Sequence, residues 1–151
     1  MYLEGTQLFM IDHLVGGDKY IYVIIDYYVE GGLEIQQDQP LSYIYKKNNV
    51  KLKIANPYEV VEHTVQSLST HTGIPKDFFI GIALINDDCE IVGIENYKSS
   101  ANIVRLSKLD KFLLSKEKSD VKPIAKKKLW QTIQDLHRIK ENEQSRKNSK
   151  Q

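Results

Sequence analysis

Through the first 55 residues, apolar and polar positions alternate with a period of two, broken at intervals by glycine, asparagine and proline. The runs Thr6–Val15, Lys19–Glu30, Leu33–Gln37, Leu41–Lys47 and Val50–Ala55 are separated by Gly16-Gly17-Asp18, Gly31-Gly32, Asp38-Gln39-Pro40 and Asn48-Asn49. The runs are rich in β-branched and aromatic residues, which suit a pleated surface. Gly and Asn accept the positive φ angles of tight turns, so each break has a steric reason. The pattern predicts an antiparallel meander of four or five strands.

At Asn56-Pro57-Tyr58-Glu59 the period changes. Asn56 suits an N-cap, Pro57 the first helical position, and Glu59 completes a capping-box-like pattern. Val61, Val65 and Leu68 then recur at helical spacing until Gly73 and Pro75 stop the element. Asp77–Ile85 and Cys89–Tyr97 flank Asn86-Asp87-Asp88 and read as a second hairpin. From Ser99 or Ser100 onward, Ile103, Leu106, Leu109 and Leu113 fit one helical stripe, with a strand followed by a short helix as the competing reading. The polar stretch 116–122 reads as a linker, 123–140 as a basic amphipathic helix, and 141–151 as a tail disordered unless bound. Together these elements predict an α+β fold, with residues 1–115 forming a compact domain around a mainly antiparallel sheet packed with helices.

Alternation along Lys19–Glu30 puts Ile21, Val23, Ile25, Tyr27 and Val29 on one face, a plain core face. The opposite face carries Tyr20, Tyr22, Ile24, Asp26, Tyr28 and Glu30, and Tyr43 and Tyr45 alternate in the same manner in the later run. An exposed face is ordinarily more polar than this. Tyrosine joins a rigid apolar ring to a polar tip, which suits a surface that is sometimes wet and sometimes covered. Tyr20, Tyr22, Tyr28, Tyr43 and Tyr45 are therefore candidate partner-binding residues. A helix laid over that face is the bland alternative, and base stacking is a third, opposed by the charges of Asp26 and Glu30.

Charge changes the picture at the C-terminal end. The net charge of +1 conceals a body, residues 1–115, with 10 Lys+Arg against 15 Asp+Glu, and a segment 116–151 with 11 against 5. In the expected last helix Ala125, Leu129, Ile133 and Leu136 share a stripe, with Trp130 and Ile139 at its margins. Trp130 joins the partner-binding candidates. Lys126, Lys127 and Lys128 are consecutive, so they point about 100° apart and make no single basic face of the kind a membrane-surface helix wants. With Arg138, Lys140, Arg146 and Lys147 they are candidate nucleic-acid contacts whose binding would weaken steeply with salt.

The apolar run Tyr20–Ile25 is far shorter than a membrane-spanning helix, and the opening MYLEGTQLF lacks the pattern of a secretory signal. The lone Cys89 can form no internal disulfide, so a reducing, cytoplasmic setting is expected. Lysine outnumbers arginine 18 to 3, as in AT-rich genomes such as those of many phages and mobile elements. His63 and His71 are eight residues apart, not the i, i+4 spacing of two ligands on one metal, so neither metal nor cofactor is expected. Asp26, Glu62, Asp87 and Asp88 could serve a small Mg²⁺-dependent nuclease only if the fold gathers them. The leading expectation is a non-enzymatic accessory subunit, adaptor or inhibitor that binds a protein partner or a second copy of itself. Nucleic-acid binding through the basic segment is the alternative, and the nuclease the third.

Overall fold

The alternating runs form strands, and the computed structural model describes residues 2–3, 6–7, 11–46, 48, 50–119, 131 and 134–135. β1 (Tyr2–Leu3) and β2 (Thr6–Gln7) pair as a short antiparallel ladder of their own. There follow β3 (His13–Gly16), β4 (Ile21–Tyr27), β5 (Gly32–Glu34), β6 (Leu41–Tyr45), β7 (Lys51–Ala55) and helix α1 (Pro57–Thr72). Beyond α1 lie β8 (Phe79–Ile85), β9 (Glu90–Val92), β10 (Asn102–Arg105) and helix α2 (Leu109–Glu117). The stop and start signals of α1 act as expected. Asn56 Oδ1 accepts the Tyr58 N–H at 3.0 Å, and Gly73 closes the helix in the left-handed conformation at φ 73°.

The fold is α+β, but its strands form two mixed sheets rather than one mainly antiparallel sheet. The first has the order β10-β8-β4-β3, with β10, β8 and β4 parallel and β3 antiparallel to β4. The second has the order β7-β6-β5-β9, antiparallel except where β5 meets β9. The expected meander survives in two pieces, the β3–β4 hairpin across Gly16-Gly17-Asp18 and the run β5, β6 and β7. β4 does not turn back at Gly31-Gly32; it crosses through residues 28–31 into the second sheet and continues as β5. β8 does the same through residues 86–89, so β8 and β9 form no hairpin, and each pairs in parallel with an earlier strand. Asn86 ties the two crossings together, since its Oδ1 accepts the Val29 N–H at 2.8 Å and its Nδ2 donates to the Val29 carbonyl at 2.9 Å. A strand followed by a short helix, the competing reading for residues 99–115, is what β10 and α2 form.

The first sheet is covered on both faces. Ile21, Val23 and Phe79 pack against Val65 and Leu68 of α1. A Cβ on Gly81 would run into Val61 Cγ1, so strand and helix touch backbone to side chain. On the opposite face Tyr22, Ile24, Ile82 and Val104 are buried against Leu109, Phe112 and Leu113 of α2. A third cluster joins Ile25, Ala83 and Ile85 of the first sheet to Leu33 and Ile35 beside the second, with Tyr58 and Val61 of α1 between them. α2 runs two residues into the stretch expected as a linker. There the Glu117 carboxylate accepts the N–H groups of Asp18 (2.5 Å) and Lys19 (3.3 Å), Lys19 Nζ donates to the Ser119 carbonyl, and Tyr20 Oη lies 3.4 Å from Ser119 Oγ. The end of α2 is thereby fastened to the β3–β4 turn.

Candidate interaction surface

The candidate tyrosines do not share one face. Tyr22 is 2% exposed beneath α2, which removes it from any open surface; its hydroxyl is pushed above its ordinary pKa by burial and then by the Glu117 carboxylate. Tyr20, beside it, is half-buried and meets Tyr22 edge-on with ring centroids 6.3 Å apart. Tyr28 lies in the first crossing and is 73% exposed. Tyr43 and Tyr45 belong to β6, in the other sheet. Tyr27, opposite them in parity, has its pKa pushed up to about 12 by burial, with a smaller push from Asp12.

The second sheet turns one face inward, through Leu33, Ile44, Ile54 and Ile91, and the other to solvent. Strand register builds that outer face row by row. Gly32 pairs with Tyr45 on one side and Glu90 on the other, and Lys51 follows Tyr45 on β7. In the next row Glu34 is flanked by Tyr43 and Val92, with Lys53 beyond Tyr43. Leu41, two residues before Tyr43, extends the same face. Leu41, Tyr45 and Val92 are 44%, 39% and 55% exposed, so no described element covers them. Lys51 Nζ lies 4.0 Å from the centre of the Tyr43 ring and 5.4 Å from that of Tyr45, within cation–π reach of both. The Tyr45 hydroxyl donates to Glu34 Oε2 at 2.5 Å. That bond, followed by the Gln36 amide, holds the Glu34 carboxyl below the ordinary carboxylate range.

Because Gly32 has no side chain, the row it shares with Tyr45 and Glu90 contains a hollow. The hollow measures about 450 Å³ and is lined by residues 31–34, Tyr45, Lys46, Asp88, Glu90 and Val92. The face therefore divides in two. Its β6–β7 half carries the tyrosines and lysines, and its β5–β9 half carries the hollow and the carboxylates. Sequence reading missed Gly32, Glu34, Glu90 and Val92. Gly31-Gly32 looks like a turn, and only the strand register shows that these residues stand beside Tyr43 and Tyr45.

The four candidate nuclease carboxylates are engaged at separate places. Asp26 pairs with His13 (Nε2 to Oδ2, 2.8 Å), and its N–H reaches the Asp12 carboxylate at 2.7 Å. Glu62 holds the loop before β10, accepting from Ser99 Oγ at 2.5 Å and the Ser100 N–H at 3.2 Å. Asp87 accepts the Ser107 N–H at 3.0 Å, which keeps its carboxyl below its ordinary pKa, and Asp88 accepts from Asn86 Nδ2 at 2.6 Å. Among the described residues no three His, Cys, Asp or Glu side chains are grouped so as to hold a metal ion. Cys89 is buried and its thiol is pushed up by that burial. Of the expected helix 123–140 only Gln131, Gln134 and Asp135 are described. Trp130, Lys126, Lys127, Lys128, Arg138, Lys140, Arg146 and Lys147 lie outside the described residues, as does the tail 141–151. No described helix is long and apolar enough to cross a membrane. No family model matches the chain, and comparison with curated proteins and with solved structures finds no match.

Proposed function

We propose that this chain is a protein-binding accessory subunit, adaptor or inhibitor whose docking surface is the outer face of the second sheet. One observation carries the reading. That face presents Leu41, Tyr45 and Val92 to solvent with Tyr43 half-buried among them, while both faces of the first sheet are covered. A rigid ring such as Tyr45, whose hydroxyl is already held by Glu34, loses little entropy on contact, which is why such residues anchor interfaces. A reducing compartment suits the buried free thiol of Cys89.

The test places a photocrosslinking benzoylphenylalanine at position 43 in cells of the source and identifies the adduct by mass spectrometry. Affinity for the purified partner is then measured. The pair Tyr43→Ser and Tyr45→Ser is expected to weaken binding at least tenfold, with little dependence on salt. Unchanged affinity removes this face from the function. A crosslinked dimer makes the partner a second copy of the chain.

A second reading rests on the +6 balance of residues 116–151. Their lysines and arginines would neutralise phosphates of a nucleic acid, and that contact needs no part of the second sheet. Fluorescence anisotropy of labelled oligonucleotides at two salt concentrations, with the full chain and with a chain ending at Lys118, separates the two readings. Salt-sensitive binding that vanishes on truncation favours nucleic acid.

A further inference from the structure

α2 closes one face of the first sheet, yet little in its own sequence secures a helix there. It is nine residues long, and a helix shorter than about 12–15 residues is marginal by itself. Lys108, at its N-cap, makes no side-chain bond to the first turn, where Ser, Thr, Asn or Asp would ordinarily supply one. At the other end Glu117 puts a carboxylate in the last turn, where the helix dipole disfavours it. None of the residues of α2 is buried: Leu109, Phe112 and Leu113 are half-buried, and Leu114 is 61% exposed. The sheet residues beneath, Tyr22, Ile24, Ile82 and Val104, are all buried.

The support for α2 comes from outside it. Ahead of the helix the Asp87 carboxylate accepts the Ser107 N–H. At its end the Glu117 carboxylate seats on the β3–β4 turn, accepting the N–H groups of Asp18 and Lys19, while Lys19 Nζ donates to the Ser119 carbonyl. Gly17 makes that seat possible. A Cβ there would collide with Glu117 Oε1 and come within 3.0 Å of Tyr22 Cε2. Gly17 has no positive φ, so the carboxylate and ring beside it, rather than its backbone conformation, call for glycine.

We propose that α2 is a releasable strap whose catch is Glu117 on the β3–β4 turn. When the catch opens, the helix lifts and unwinds, baring Tyr20, Tyr22, Ile24 and Ile82 while both sheets stay folded. Undocking and unwinding are one event, because a helix this short and without a cap of its own does not persist off the sheet. The sheet does not need the strap for its backbone pairing. β4 lies between β3 and β8, β8 lies between β4 and β10, and α1 stays on the opposite face. The released form is a sparsely populated state of the native protein, of the kind that hydrogen exchange detects and a urea transition does not. The strap thereby governs access to the tyrosine face of the first sheet. It involves no part of the second sheet and is independent of the docking role of that face.

Amide hydrogen exchange of the ¹⁵N-labelled full chain, followed by NMR, tests the strap. The amides of residues 113–118 are expected to exchange about 100-fold faster, or more, than those at the centres of β4 and β8. Gly17→Ala reaches the catch without altering any residue of α2, and Glu117→Ala reaches it from the other side. Each should speed exchange at residues 113–118 by about tenfold or more and leave the central amides of β4 and β8 within about twofold of the parent. Leu114→Ser changes α2 on its exposed side, away from the catch, and should speed the same amides by less than about threefold. Exchange at residues 113–118 as slow as that of β4 and β8 in the parent would make α2 an inseparable part of the core and overturn the strap. So would a Glu117→Ala chain in which α2, β4 and β8 all speed together. No change at residues 113–118 in either catch variant would remove Glu117 as the catch and overturn it as well.

Discussion

Tyr22 and Tyr45 are both strand tyrosines whose parity places them opposite a core-facing set, yet one is 2% and the other 39% exposed. Parity says on which side of the sheet a residue lies. What lies above that side is decided about 90 residues later by Leu109, Phe112 and Leu113. The two tyrosines should therefore respond oppositely to truncation. Tyr22→Ala is expected to destabilise the chain by roughly 3–5 kcal/mol, as loss of a large buried aromatic does. Tyr45→Ala should stay within about 0.5–1 kcal/mol of the parent, because it removes one exposed ring and its bond to Glu34. Urea unfolding of the two variants checks the contrast, and similar losses would place both rings in the core. The alternation was legible in the sequence; the division of its tyrosines between a core and a surface was not, because that depends on contacts far apart in the chain.

At the scale of elements, α1 was legible almost to the residue because all its signals are local: the Asn56 cap, Pro57, the Val61-Val65-Leu68 stripe and Gly73. The pairing of β8 and β9 was not. Asn86-Asp87-Asp88 has turn chemistry whether the chain folds back on itself or crosses to another sheet, and the choice lies in partners supplied by β4 and β5. The first of these acids also secures an element. Asp87 receives the Ser107 N–H just ahead of α2, and this bond, with the nearby Arg105, holds its carboxyl below the ordinary aspartate range. A carboxyl whose folded pKa is lowered contributes stability above its ordinary pKa and loses that contribution as pH falls through the lowered value. Asp87→Asn should be less stable than the parent at neutral pH, and the gap should close on acidification. Paired denaturant titrations at neutral and acid pH measure it, and a gap that widens in acid would refute this seat for α2.

For the molecule as a whole, the cluster shared by Ile25, Ala83 and Ile85 with Leu33 and Ile35 makes the two sheets depend on one another. Residues 11–119 should then unfold in one cooperative step, with tyrosine fluorescence and far-ultraviolet circular dichroism tracing the same urea transition. Two separated transitions would mean that the second sheet folds by itself. The burial on both faces of the first sheet also explains why its strands read as apolar throughout, IYVIIDY in β4 and FIGIALI in β8, where a half-exposed strand would alternate. That signal of a parallel, two-sided sheet was present in the sequence, obscured by the tidy turns around it.

The stitching of the two crossings by Asn86 bears on which changes of length the chain can accept. β4–β5 and β8–β9 travel side by side from one sheet to the other, so a residue inserted at 28–31 would slip β5 against β9 and turn its inward set outward. Only a matching insertion at 86–89 would bring the two strands back into step. The turns at residues 37–40 and 46–50 carry no such obligation, because each joins antiparallel neighbours. Length variation in related chains should accordingly collect at those two turns, and where it occurs in one crossing it should occur in both.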